Sequence, residues 1–243
     1  MPAVDLLDGR VVRLREGRYD EVTEFGVDPV ETALAFARQG ATLLHVVDLS
    51  AARDGVRPAA HRAIVRELVE RCGMAVQVGG GIRDEATLHE ALELGVARVL
   101  VGTLAAAQPQ LVGRIARDTA RVAVAADVRD GTVRTAGWVK DTGLEAAAFV
   151  RSLAGSGVRD FLVTAIERDG TGRGPDTALL ACLRPFVPGV LIAAGGIGSP
   201  GDVAAVAAAG ADAAVVGRAL YDGSMTLSEA SASVRSSPTD RPS

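Results

Sequence analysis

A chain of 243 residues is too long for one ordinary β-sandwich and suits one α/β barrel, which takes about 250. Hydrophobic residues make up 48% and charged residues 23%, as in globular domains, and aromatics at 3% leave the core to Ala, Val, Leu and Ile. A net charge of −4 with no basic run argues against nucleic acid and anionic membrane surfaces as partners, and no apolar run reaches the roughly 18 residues of a membrane span.

The N-terminus has no signal-peptide pattern, so a cytoplasmic location is expected. Cys72 and Cys182 lie far apart without metal-ligand spacing, which predicts inert packing residues of a reducing compartment. His45, His61 and His89 are scattered, so no zinc site is expected. No metal and no cofactor are predicted, and a monomer is expected.

Short apolar runs alternate with helical patterns. AVDL at 3–6 starts close to Met1, which predicts a weakly anchored first strand. It contains Asp5 and leads into Asp8-Gly9, a turn pair, with Arg13 just beyond. A helical pattern at 30–40 ends in Gly40, and LLHVVDL at 43–49 follows. MAVQV at 74–78 opens into Gly79-Gly80-Gly81, a helix pattern at 85–95 ends in Gly95, and ARVLV at 97–101 runs into Gly102-Thr103. The second half continues with RVAVAAD at 121–127, DFLVTAI at 160–166, GVLIAA at 189–194 before Gly195-Gly196, and ADAAVV at 211–216 before Gly217-Arg218. A helix pattern at 200–210 ends in Gly210. Eight apolar runs alternating with helices imply a parallel sheet, and eight strands close a (β/α)₈ barrel; the runner-up is an open doubly wound sheet. One barrel over 1–235 is expected, with SSPTDRPS at 236–243 as a frayed, disordered tail.

The chain repeats internally. VGGGIRDEATLHEALELGVARVLVGT (78–103) aligns without a gap on AAGGIGSPGDVAAVAAAGADAAVVGR (193–218), and VDLLDGRV (4–11) aligns on ADVRDGTV (126–133). Asp5 thus pairs with Asp127, and Asp8-Gly9 with Asp130-Gly131. A period of half the chain implies a half-barrel repeat and paired chemistry across the barrel mouth.

Glycine at a strand end lets backbone N–H groups approach an anion. Gly80, Gly81, Gly102 and Thr103 therefore form one candidate phosphate set, and Gly195, Gly196, Gly217 and Arg218 the other. The bland alternative is that the glycines only make tight turns. Asp5 and Asp127 end strands on opposite sides of the mouth, where two carboxylates suit general acid and base work. Capping a loop or pairing with arginine is their bland alternative. Thr164 ends strand six, ahead of the Glu167–Thr171 stretch that contains Asp169, and its hydroxyl is a possible donor or plain packing. Arg13 is an anion or carboxamide clamp or a solvated arginine. Trp138, in an insertion after strand five, either stacks on a flat base or packs in the core. The sole lysine, Lys140, lies in that insertion and counts against Schiff-base chemistry.

PAVDLLDGRVVRL, VVDLSAA, VGGGIRD, Gly102-Thr103, ADVRDG, Gly137-Trp138, ERDGT, AAGGI and VVGRAL together resemble the phosphoribosylformimino-5-aminoimidazole carboxamide ribotide isomerases of histidine biosynthesis, from residue 2 to about 230. The resemblance implies a metal-free, cofactor-free Amadori rearrangement of a small bisphosphate. It implies Asp5 as general base, Asp127 as general acid, Thr164 assisting, the substrate held by the two glycine sets, and Arg13, Trp138 and Asp169 as substrate-binding residues. The related cyclases usually carry lysine where this chain has Arg13. The bifunctional isomerases that also act on phosphoribosylanthranilate usually have Ser at Gly79 and Arg at Ala136. Both differences favour the histidine-only enzyme. Where the family usually has an acidic residue after the strand-six threonine, this chain has Ala165. A non-catalytic sugar-phosphate-binding barrel remains the alternative outside enzymes.

Overall fold

The computed structural model describes residues 1–15 and 18–235. Eight parallel strands run in chain order around one sheet: β1 Ala3–Leu7, β2 Leu43–Asp48, β3 Ala75–Gly79, β4 Arg98–Val101, β5 Val122–Arg129, β6 Asp160–Ala165, β7 Leu191–Ala194 and β8 Ala213–Ala214. All eight coincide with the apolar runs, and helices separate them. The sheet closes through a parallel bridge between Pro2 and Val216, with Ala3 N donating to Val216 O at 3.0 Å and Val216 N to Met1 O at 2.8 Å. The structure is a closed (β/α)₈ barrel. The weak anchoring expected of β1 is corrected by these bonds and by its pairing with β2 from Ala3↔His45 to Leu6↔Asp48.

The helices stop where the glycines require. Gly40, Gly95 and Gly210, each just past a helix, have φ of 88°, 80° and 92°. Matching capping boxes start the helices after β3 and β7, Asp84 with Thr87 and Ser199 with Asp202. The boxes sit 115 residues apart, as the repeat does.

Two apolar clusters hold the barrel. The larger lies between strands and helices; the smaller, Leu100, Ala123, Leu162 and Ile192, fills the barrel interior. The interior is not wholly aliphatic, contrary to the reading from composition. His45, Gln77, Arg98 and Asp160 form a hydrogen-bonded row, at 2.7 Å, 3.2 Å and 2.8 Å. Burial pushes the His45 imidazole down to about 3, so it is neutral. Cys72 is buried, but Cys182 is exposed, which corrects its expected packing role.

Each half carries a hairpin grown from its first strand. β1 turns at Asp8-Gly9 into Arg10–Arg15, and β5 turns at Asp130-Gly131 into Thr132–Thr135, which pairs in turn with Lys140–Glu145. Both turn residues have positive φ in each case, 49° and 81° in the first and 51° and 74° in the second, so these are two-residue type I′ turns. Among the described residues, no helix is long and apolar enough to cross a membrane.

Candidate active site

The strands' C-terminal ends surround an open cavity of about 730 Å³. Every candidate site residue named from the sequence lines it. Asp5, Asp127 and Thr164 are there, as are Arg13, Trp138 and Asp169 and both glycine sets with Thr103 and Arg218.

Hairpin register sets the two aspartates in equivalent places. Asp5 pairs with Val12 across its hairpin and with Val47 on the neighbouring strand β2; Asp127 pairs with Arg134 across its hairpin and with Thr164 on the neighbouring strand β6. Their surroundings differ. Asp5 lies 3.2 Å from Arg13 Nη1, and the other guanidinium nitrogen of Arg13 hydrogen-bonds Asp169. Burial pushes the Asp5 carboxyl up, and Arg13 pulls against it. Burial likewise pushes Asp127 up, opposed by hydrogen bonds from Thr164 and Trp138. No arginine or lysine pairs with Asp127 among the described residues. Arg134, opposite it in the ladder, is turned to Asp141 at 2.9 Å.

Arg13 is therefore no free anion clamp. Two carboxylates already share it, and Asp169 serves as its partner. Trp138 stands at the mouth rather than in the core, at a φ of 72°. With Ala136 at 54° and Gly137 at 68°, it makes a run of three left-handed residues, a strained conformation that turns the chain back over the mouth.

The glycines answer a tight steric demand. Gly80 has φ 98°, and a Cβ there would lie 2.2 Å from the Asp48 carbonyl oxygen; Gly195 has φ 88°, with Ala165 O at 2.6 Å. The turns alone thus require glycine, whatever binds there. Gly102 and Gly217 precede short helices at a shared φ of −104°. Thr103 Oγ1 accepts from Ala136 N at 3.1 Å, and Arg218 Nη1 donates to Gly170 O at 2.9 Å. Near the second set, Asp202 accepts from Gly198 N and Ser199 N, so those two donors are already used.

Sequence reasoning missed Tyr19, Arg173 and Ser199, which also line the cavity. The Ser199-x-x-Asp202 spacing was a legible helix-start signal; nothing local marked the others. Among the described residues, no group of three His, Cys, Asp or Glu could hold a metal ion.

A closed eight-stranded barrel with two like halves and an aspartate at the mouth of each defines a class of two-fold repeated (β/α)₈ barrels. The chain belongs to the family described as "Histidine biosynthesis protein", whose model matches residues 1–226. A protein of Synechococcus sp. is 42% identical over 231 residues, covering 95% of this chain and 91% of its own length. One of Roseiflexus castenholzii is 42% identical over 232 residues, covering 95% and 97%. One of Gloeothece citriformis is 41% identical over 236 residues, covering 95% and 90%. All three are named 1-(5-phosphoribosyl)-5-((5-phosphoribosylamino)methylideneamino)imidazole-4-carboxamide isomerase.

Proposed function

We propose that this chain catalyses the isomerisation named for its relatives, converting the phosphoribosylamino end of a bisphosphate from aminoaldose to aminoketose. The observation that carries the roles is the unequal surroundings of two equivalent carboxylates. Asp127, half-buried and with no cation paired to it among the described residues, has its carboxyl pushed up and suits a general acid. Asp5, beside the Arg13 guanidinium, suits the ionised base.

Asp127 gives its proton to the ring oxygen, the C1–O bond breaks, and the glycosidic nitrogen's lone pair forms a C1=N double bond. Asp5 removes the C2 proton, and its electrons pass to give an enol bearing nitrogen on C1. The enol hydroxyl gives its proton to the Asp127 carboxylate and Asp5 returns its proton to C1, which leaves the ketone at C2 and both carboxyl groups as they began. Atoms and electrons balance without an external oxidant or reductant. Thr164, bonded to Asp127, steadies the carboxylate left after proton transfer. The two glycine sets take one phosphate each through backbone N–H groups, and the Trp138 ring covers the mouth.

The test is turnover of the aminoaldose by purified chain and by Asp5→Asn and Asp127→Asn. Each variant is expected to lose about 10²–10⁴-fold in turnover with its fold intact. Absence of turnover by the wild type overturns the reading, and near-normal turnover by a variant removes that aspartate from the mechanism.

One observation favours a second reading, in which phosphoribosylanthranilate is also a substrate. Arg134 lines the cavity, and its buried Nε has no hydrogen-bond partner, so a cation is present that a carboxylate would satisfy. Gly79 and Ala136 weigh the other way. Comparing kcat/KM for the two substrates on one preparation decides between them; comparable values make the chain bifunctional.

A further inference from the structure

One buried charged cluster lies outside the reaction described above. Asp48 ends β2 with no exposed surface, and its carboxylate takes three donors: Ala51 N at 2.9 Å, Arg57 Nε at 3.0 Å and His61 Nδ1 at 2.8 Å. Two of those donors reach onward. Arg57 Nη2 donates to the carbonyl of Gly80 at 3.0 Å, in the turn after β3. His61 Nε2 accepts from Gly9 N at 2.7 Å, in the turn after β1. A backbone N–H can only donate, so Nε2 carries the lone pair and Nδ1 the proton, which fixes one neutral tautomer. Ser50 adds a parallel link, accepting from Asp8 N at 2.9 Å.

Among the described residues, the other half has no such cluster. Its position equivalent to Asp48 is Ala165, which packs against Gly195 through backbone alone. The corresponding Asp130 turn is met by the largely exposed Glu167 carboxyl, and that hydrogen bond pushes Glu167 up.

We propose that Asp48, Arg57 and His61 form a strut coupling the Gly80-Gly81 turn to the Asp8-Gly9 turn, and that His61 and Arg57 are positioning residues for the Asp5–Arg13 pair. This rests on the reading of the Gly80-Gly81 turn as one phosphate end. Phosphate bound there presses on Gly80, Arg57 carries the constraint to Asp48, and His61 carries it to Gly9. That turn sets the register in which Val12 faces Asp5 and Arg13 reaches it. The coupling belongs to the first half only, so the base is held by the end that binds while the acid hairpin is not.

Hydrogen–deuterium exchange of the whole chain, with inorganic phosphate as the probe, tests this without turnover. In the wild type, phosphate is expected to slow exchange in segment 4–15 roughly tenfold, about what one hydrogen-bonded link to a charged group is worth. In His61→Leu that slowing should fall below about twofold, with segment 126–135 unchanged. His61→Gln, which keeps a donor and an acceptor, should recover most of it. Equal protection in His61→Leu and wild type, no protection by phosphate in the wild type, or equal loosening of both hairpins overturns the strut. Failure of His61→Leu to fold leaves His61→Gln and Arg57→Gln to be read the same way: with the strut, protection of 4–15 persists in His61→Gln and is lost in Arg57→Gln, and persistence in Arg57→Gln overturns it. Turnover of the aminoaldose by the wild type, measured separately, shows whether it is instead the proposed reaction that fails.

Discussion

Burial raises both Asp5 and Asp127, but among the described residues only Asp5 has a cation paired to it. The reaction needs Asp5 ionised and Asp127 protonated. The rate should fall at low pH as Asp5 takes up its proton and at high pH as Asp127 loses its own. Thr164 stabilises the Asp127 carboxylate, so Thr164→Val should raise the Asp127 pKa further and move the alkaline limb to higher pH; an unmoved limb in a pH–rate profile would count against Asp127 as the acid. The same burial bears on stability. A carboxyl raised in the folded state binds its proton more tightly there than in the unfolded chain. Its favourable contribution is present below the ordinary carboxylate range and is lost as pH rises through the raised value. Asp127→Asn should therefore raise Tm at pH 7 relative to the wild type while sharply lowering turnover, with the gap in Tm closing at acid pH; calorimetry at the two pH values checks it.

At the scale of elements, the turns matter more than the helices. Gly9 and Gly80 both have positive φ, but a Cβ at Gly9 would meet nothing within 4 Å, whereas one at Gly80 would strike the Asp48 carbonyl. Gly9→Ala should cost about 1–2 kcal/mol, the left-handed penalty alone. Gly80→Ala adds a backbone clash and should cost at least about 3 kcal/mol. Urea denaturation of the two variants separates these, and equal costs would refute the close approach. The Asp-Gly turns, helix ends and βα turns were legible because each is a local matter of backbone dihedrals. The strand Arg18–Glu24, which pairs with Arg10–Arg15, and the Thr132–Thr135 and Lys140–Glu145 ribbon were not. Those segments are short, half-exposed and polar, without the apolar alternation that marks a strand.

For the whole molecule, β8 is only two residues long, and the seam between it and β1 rests on one bridge and a few backbone bonds. Amides of Ala213–Val216 should exchange faster than those of Val122–Asp127, which are paired on both sides. Slower exchange at the seam would mean that closure is stronger than its hydrogen bonds account for. The two-fold repeat also predicts two anion sites: crystals grown in sulfate should show density at the Gly80-Gly81 turn, the Gly195-Gly196 turn, or both. Ordered loops with density at neither would speak against a bisphosphate substrate.

The sequence by itself determined the strand count, the half-barrel repeat and fourteen of the residues that line the mouth. The strands, the two glycine sets and the aspartate pair follow from periodicity, from glycine's dihedral freedom and from the alignment of the halves, all readable along the chain; Asp169 came with the family resemblance. Only the tertiary structure decided what the repeat leaves unequal. Arg13 is held by Asp5 and Asp169, 156 residues away from the latter, and Arg134 turns from Asp127 to Asp141. Asp48 joins Arg57 and His61, whereas its counterpart Ala165 has no side-chain acceptor to offer. Whether a carboxylate is paired depends on which side chains distant strands bring within about 4 Å, since charges attract over that range when desolvated. No local pattern in the sequence records that distance.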